Sequence, residues 1–338
     1  MSAVHLEPLL VGTPFHDCFI VEYDALYHGN NNDPTLLLQK LEEASNQTDP
    51  IIIDKTSEHL HDEHSYLEGG RDSDLSRDAS HISGLNKLLE EYKIKNRCVV
   101  FDNTWNDTHW HTWGIKHIAG PFYIWNYIIE RRLKIPAWNH NPSKHFLCMN
   151  NIHKPHRQQV IERLHHDNCI SKTLWSYRNT CDSQVFTSPT YIDQATGKFD
   201  QTANLNNLYN DCFYTIVTET DYTDKNIEHI TEKTLMAILH GTVPIIVGVP
   251  GAIKLCKDLG FDMYDGIIDN SYDAVIDNNE RFEKIMYMVE NKSAEKHLDK
   301  LRTLLPTRVL RNQLLLTNRQ YWFDQIINIL FDKSKLLN

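Results

Sequence analysis

The sequence has no paired cysteines, no glycine-rich phosphate loop and no long hydrophobic run, and each absence removes a class of protein. Its seven cysteines, Cys18, Cys98, Cys148, Cys169, Cys181, Cys212 and Cys256, are dispersed and never form a Cys-x-x-Cys pair. They read as reduced thiols rather than a disulfide scaffold or a zinc knuckle. Neither Gly-x-Gly-x-x-Gly nor Gly-x-x-x-x-Gly-Lys-Ser/Thr occurs, which argues against a dinucleotide dehydrogenase and a P-loop NTPase. No stretch of about eighteen apolar residues is present, and Met1 to Gly12 carries no basic leader with an apolar core. The expectation is therefore a cytoplasmic protein without a membrane span. Positive charge is also scarce: 34 Lys and Arg against 45 Asp and Glu give a net charge of -11. A nucleic acid is accordingly a disfavoured partner.

What is present is most informative between Cys212 and Gly251. Phe213, Tyr214, Ile216 and Val217 form an apolar run of strand type, and Leu235, Met236, Ile238 and Leu239 recur at helical spacing until Gly241 ends the helix. Val243 to Val247 is a second buried strand. Strand, helix and strand make a βαβ unit with parallel strands, whose ligands lie beyond the strand carboxyl ends. Glu219, Thr231, Glu232 and Lys233 fall there. A carboxylate and an ammonium where a loop becomes a helix suit a phosphate-bearing ligand, helped by the positive end of the helix dipole.

These residues carry a family resemblance. Glu219-Thr220, then His229-Ile230-Thr231-Glu232-Lys233, then Ala237, Gly241, Pro244 and Gly248, resemble the nucleotide-sugar half of the fucosyltransferase family. Phe146 to Asn151 with His156-Arg157 is similar to the first strand and helix of that half. A closer likeness is to viral and environmental glycosyltransferase-like proteins, which share Leu259 to Asp262 and Ser271 to Asp273; if the chain is viral, the expected location is the host cytoplasm. The resemblance covers roughly residues 144 to 330 and implies an α/β protein of GT-B fold, two Rossmann-like domains facing a cleft. It also implies Arg157 and Lys233 on a donor diphosphate and Glu232 on the ribose. The family has Glu and Asn where this chain has Glu219 and Thr220, which puts the contact to the donor sugar, and so its identity, in question. Tyr222 and His229 flank the loop as candidates for the base or the sugar.

The first 140 residues match no motif. Cys18 to Val21, Ile51 to Ile53 and Cys98 to Phe101 read as strands, Thr35 to Ala44 and Leu85 to Tyr92 as helices, together a first domain over 1–138 with a parallel sheet. A polar stretch from His59 to Ser83 reads as a lid or an acceptor loop. Phe122 to Leu133 reads as a helix broken by the prolines of 134–144. A nucleotide-sugar domain then spans 144–317, and a helix over 318–338 packs on a domain or across both.

An inverting transfer needs a base from the first domain, and strand-end position nominates Asp102, with Asp54, Glu58 and Asp107 behind it. Trp105, His109 and Trp110 are candidates for an acceptor platform, because indole faces stack on sugars. No metal is expected: His59, His61, His64, His109 and His111 lack the spacing of a zinc site, and Asp72-Ser73-Asp74 lies in a polar loop. The expected function is metal-independent, cofactor-free inverting transfer of a sugar, fucose from GDP-fucose being the family's case, onto a glycan hydroxyl. Two alternatives stay open: a binding protein that kept the donor site and lost the base, and a phage-type enzyme that glycosylates DNA bases.

Overall fold

A computed structural model describes residues 6–22, 35–55, 82–103, 105, 108–129, 131–137, 142–150, 154–178, 185–187, 206–225, 227–294 and 298–337. Of the expected lid at 59–83, residues 59–81 lie outside the described residues, as do Glu58, Asp107 and the Asp72 and His59 clusters, while Ile82 and Ser83 open the Ile82–Glu91 helix. The chain divides into two compact units, one of residues 1–132, 226–228 and 318–338, the other of 133–225 and 229–317.

The first unit holds four parallel strands in the order β1 (Phe19–Val21), β2 (Ile51–Lys55), β3 (Cys98–Asp102) and β4 (Lys116–Ala119). Every residue of β2 and β3 is buried, as expected of parallel strands covered on both faces. Leu37 and Leu41 of the Thr35–Ser45 helix, with Leu85 and Leu89 of the Ile82–Glu91 helix, pack with Ile51, Ile53 and Val100 in one core cluster. The helix begun at Phe122 turns π-helical over Trp125–Ile129 and stops there, short of Leu133. Arg132 adopts a left-handed conformation at φ 51°, which a continuing helix does not allow. The closing helix Arg319–Lys333 belongs to this unit, buries Trp322, Ile326 and Leu330, and starts on an Asn318 side-chain cap to Tyr321 N–H.

The second unit is a five-stranded sheet in the order β7 (Val185–Thr187), β6 (Thr173–Arg178), β5 (Lys144–Asn150), β8 (Cys212–Thr218), β9 (Val243–Val247), parallel except for β7. The predicted βαβ unit is observed: β8, the Glu232–Leu239 helix and a parallel β9. That helix ends in a Schellman motif: Gly241, at φ 77°, donates to Ile238 O and Thr242 N–H donates to Ala237 O. Both units are Rossmann-like, so the α/β class read from the sequence is the class observed. Among the described residues no helix is long and apolar enough to cross a membrane.

β6 follows β5 on one side of it while β8 pairs on the other, so the sheet order reverses at β5 and β8. Open α/β sheets bind ligands beyond the strand carboxyl ends at such a reversal. Asn150 and Thr218 mark those ends, and the Thr218 hydroxyl donates to Asn150 Oδ1.

Because Trp322 is fully buried, Trp322→Ala should destabilise the first unit by about 3–5 kcal/mol in chemical denaturation. A loss below about 1 kcal/mol would detach the closing helix from that core.

Candidate functional site

The first turn of the Pro155–His166 helix lies against the exit of β8. Lys154 precedes Pro155 and is extended, φ -146° and ψ 147°, as a residue before proline must be to avoid the ring. From there Lys154 Nζ donates to Thr220 O at 2.7 Å, His156 Nε2 lies 3.0 Å from Glu219 O, and Arg157 Nη2 reaches Glu219 O at 3.3 Å and Thr218 O at 3.4 Å. Three successive carbonyls of β8 and its exit are thus held by three side chains of one helical turn.

Burial pushes the His156 imidazole down to about 3, with the neighbouring Arg157 charge adding to the effect, so the ring is neutral and donates through Nε2. Burial likewise lowers Arg157, against the pull of Glu219, Glu232 and Asp221. Lys154 is lowered by burial too; Asp221 opposes that shift, while Arg157 and Lys233 reinforce it.

The second helix reaches the same place. Thr231 caps the Glu232–Leu239 helix, its hydroxyl oxygen accepting from Lys233 N–H at 3.3 Å. Lys233 Nζ contacts Thr220 Oγ1 and Thr231 Oγ1, each at 3.3 Å, and Glu232 Oε1 at 3.1 Å. Its side chain is 30% exposed and that of Glu232 19%. The switch point therefore gathers Lys154, Arg157 and Lys233 around residues 218–220, with Glu219, Asp221 and Glu232 as the nearby carboxylates. This is an arrangement able to neutralise a polyanion at partly solvated ammonium groups.

The structure brings Arg157, Glu232 and Lys233 together at the switch point, and Thr231 adjoins them as the helix cap. Glu219 requires correction as a sugar contact: it is buried and its carboxylate accepts from Thr231 N–H at 3.0 Å, Thr234 Oγ1 at 2.6 Å and the Thr231 hydroxyl. It fixes the strand end to the start of the helix. Gly248 is small for the same reason, since a Cβ there would sit 3.3 Å from Glu219 Cβ and Cγ. Tyr222 is corrected as well. Its hydroxyl donates to Asn278 O at 2.6 Å, and its ring lies between His156, 5.2 Å between centroids, and the Arg281 guanidinium at 4.6 Å. It packs the underside of the site. His229 is buried too. Lys154 is the participant the sequence reading missed; a Lys-Pro at a helix start is common, and only the fold brings its ammonium back to β8.

In the first unit, Asp102 is enclosed with no exposed side-chain surface, accepts its neighbour Asn103 N–H at 2.6 Å and has His117 Nε2 4.0 Å away. A carboxylate so placed presents no side-chain surface to an acceptor hydroxyl, which counts against its nomination as base. Trp110 is wholly buried, stacked on His117 at 5.3 Å, and belongs to the core rather than to a sugar platform. Trp105 forms an antiparallel bridge with Glu228, N–H to O in both directions at 2.9 and 2.8 Å. His109 lies in the Thr108–Thr112 helix. Asp54 is buried at the carboxyl end of β2. Among the described residues no group of three His, Cys, Asp or Glu is placed to hold a metal ion.

No family model and no curated protein matches this chain. Among solved structures it is similar to T4 phage BGT in complex with its UDP-glucose substrate, at 12% identity over 89% of this chain and 78% of that one, with a TM-score of 0.41. It is also similar to an alpha1,3-fucosyltransferase with GDP-fucose, at 14% identity over 87% and 76% of the two chains, with a TM-score of 0.34. Neither likeness assigns a family, donor or acceptor to this chain.

Two outcomes test the site as built. Glu219→Ala removes the acceptor of three buried donors and should cost more than about 2 kcal/mol of stability; wild-type stability in that variant would make Glu219 a ligand contact instead. His156 and His240, the latter pushed by burial down to about 4, are both neutral in the folded state. Their contribution is complete above the unfolded histidine value near 6.5 and is lost as pH falls toward the depressed folded values. The urea midpoint should therefore drop between about pH 7 and about pH 5, and His240→Phe should reduce that drop; an unchanged slope would contradict a buried neutral imidazole.

Proposed function

We propose that the protein is a glycosyltransferase that uses a nucleotide-sugar donor, and that Arg157 and Lys233 neutralise the donor diphosphate while Glu232 takes the ribose hydroxyls. The observation that carries this reading is the convergence of side-chain cations from two helix starts on the β5/β8 switch point. Two Rossmann-like units in one chain agree with the GT-B plan. Acceptor oxygen attacks the anomeric carbon in line, the bond to the diphosphate breaks, and the negative charge that grows on the leaving group meets groups already in place. The attack inverts the anomeric centre, and the hydroxyl proton passes to a base. The resemblance makes fucose from GDP-fucose the proposed donor and a glycan the proposed acceptor, with no cofactor or metal taking part. The protein is read as cytoplasmic.

A second reading, a nucleotide-sugar-binding protein without transfer, is favoured by one observation: Asp102 is enclosed. Hydrolysis of the bound sugar nucleotide in the absence of acceptor separates the two, since only a transferase activates the anomeric carbon.

Thermal-shift screening with GDP-, UDP- and other nucleotide sugars comes first. Lys233→Ala should then weaken diphosphate binding by at least about tenfold, the worth of one charge-assisted hydrogen bond, with the melting temperature nearly unchanged. Unaltered GDP and UDP affinity in that variant would remove Lys233 from the site.

A further inference from the structure

Resting on that donor reading, we infer that Lys154 is a third donor-binding cation, and that it makes the site select a nucleoside diphosphate over the corresponding monophosphate. Its ammonium contacts Thr220 O at 2.7 Å, on the same residue whose hydroxyl receives Lys233 Nζ at 3.3 Å. Arg157 is one residue away, on Glu219 O at 3.3 Å. All three positive groups therefore address a single dipeptide.

A structural role alone explains this poorly. A backbone carbonyl needs only a neutral donor, and a charged one taken out of water beside two like charges is costly. Burial lowers the basicity of Lys154, and Arg157 and Lys233 add to that shift. The adjacent carboxylates relieve only part of this. Glu219 is enclosed and engaged with Thr231 and Thr234, and Glu232 faces Lys233. Among the described residues Asp221 offsets Lys154. An anion with several oxygens, bridging the ammonium groups, relieves the repulsion that remains. The cations come from two helix starts, one after β5 and one after β8, so on this proposal two linked phosphoryl groups engage more of them than one does. Pro155 keeps the Lys154 backbone extended, and from there its side chain reaches the β8 exit.

The test compares binding of GDP with GMP, and of UDP with UMP, to the full chain by titration calorimetry. Lys154→Gln should lose about tenfold or more for the diphosphate that binds, and less than about threefold for its monophosphate. Lys154→Arg should restore most of the difference. Equal losses for both nucleotides, or none, would overturn the assignment, and a melting temperature lowered in Lys154→Gln but not in Lys154→Arg, with selectivity intact, would show a structural clamp. Lys233→Ala run alongside tells the two levels apart. If it weakens binding while Lys154→Gln does not, only the role of Lys154 fails. If wild-type protein binds neither diphosphate, the donor reading and this inference fail together.

Discussion

Three carbonyls at the exit of one strand hold the second unit's candidate site in place. Thr218, Glu219 and Thr220 leave the sheet where its order reverses, and buried carbonyls there must find donors. The first turn of the Pro155–His166 helix supplies them through Lys154, His156 and Arg157. On the other side the Glu219 carboxylate receives the cap of the Glu232–Leu239 helix. Strand end, first helix and second helix are tied at one point, and each tie is a charged or strongly dipolar group.

That construction has a functional corollary. Satisfying a carbonyl with a lysine or arginine places positive charge at fixed coordinates before any ligand arrives. Fixed charge in a partly desolvated setting is worth more to a developing anion than the same charge in water, because nothing must reorganise. The neutral His156 fits the same logic, since its ring adds a donor without adding to the repulsion among three cations.

The extent to which this was legible in the sequence differs sharply between the units. β8, its helix and β9 were readable because β-branched runs, a Thr cap and a helix-ending glycine agree locally with the fold they adopt. The six strands expected from apolar runs, β1, β2, β3, β5, β8 and β9, are present, while β4, with Lys116 and His117, carries no such run and is not legible as a strand. Trp110 and Asp102 misled for a related reason. An indole after a strand and a carboxylate at its end look solvent-facing in sequence, but neighbouring elements close over both, and no local pattern records that. Glu219 and Tyr222 lie in the right place for the wrong purpose: their spacing shows where the strand ends, not that their polar atoms are already committed. Lys154 was invisible because its partner, Thr220, is 66 residues away.

Among the ionic contacts at the switch point, the one between Lys233 and Glu232 differs from the others in kind. Glu219 is enclosed and accepts from three donors, so displacing it would strand those donors in an apolar setting. Lys233 and Glu232 are both partly exposed, and their contact at 3.1 Å joins residues adjacent in sequence. Exposed pairs of this sort hold each other weakly. In the proposed function a diphosphate takes over the ammonium and leaves the Glu232 carboxylate free to accept from ribose hydroxyls, so one exchange serves both ends of the nucleotide. On that proposal the buried ties stay as they are, so that binding alters the surface of the site while its frame stays intact.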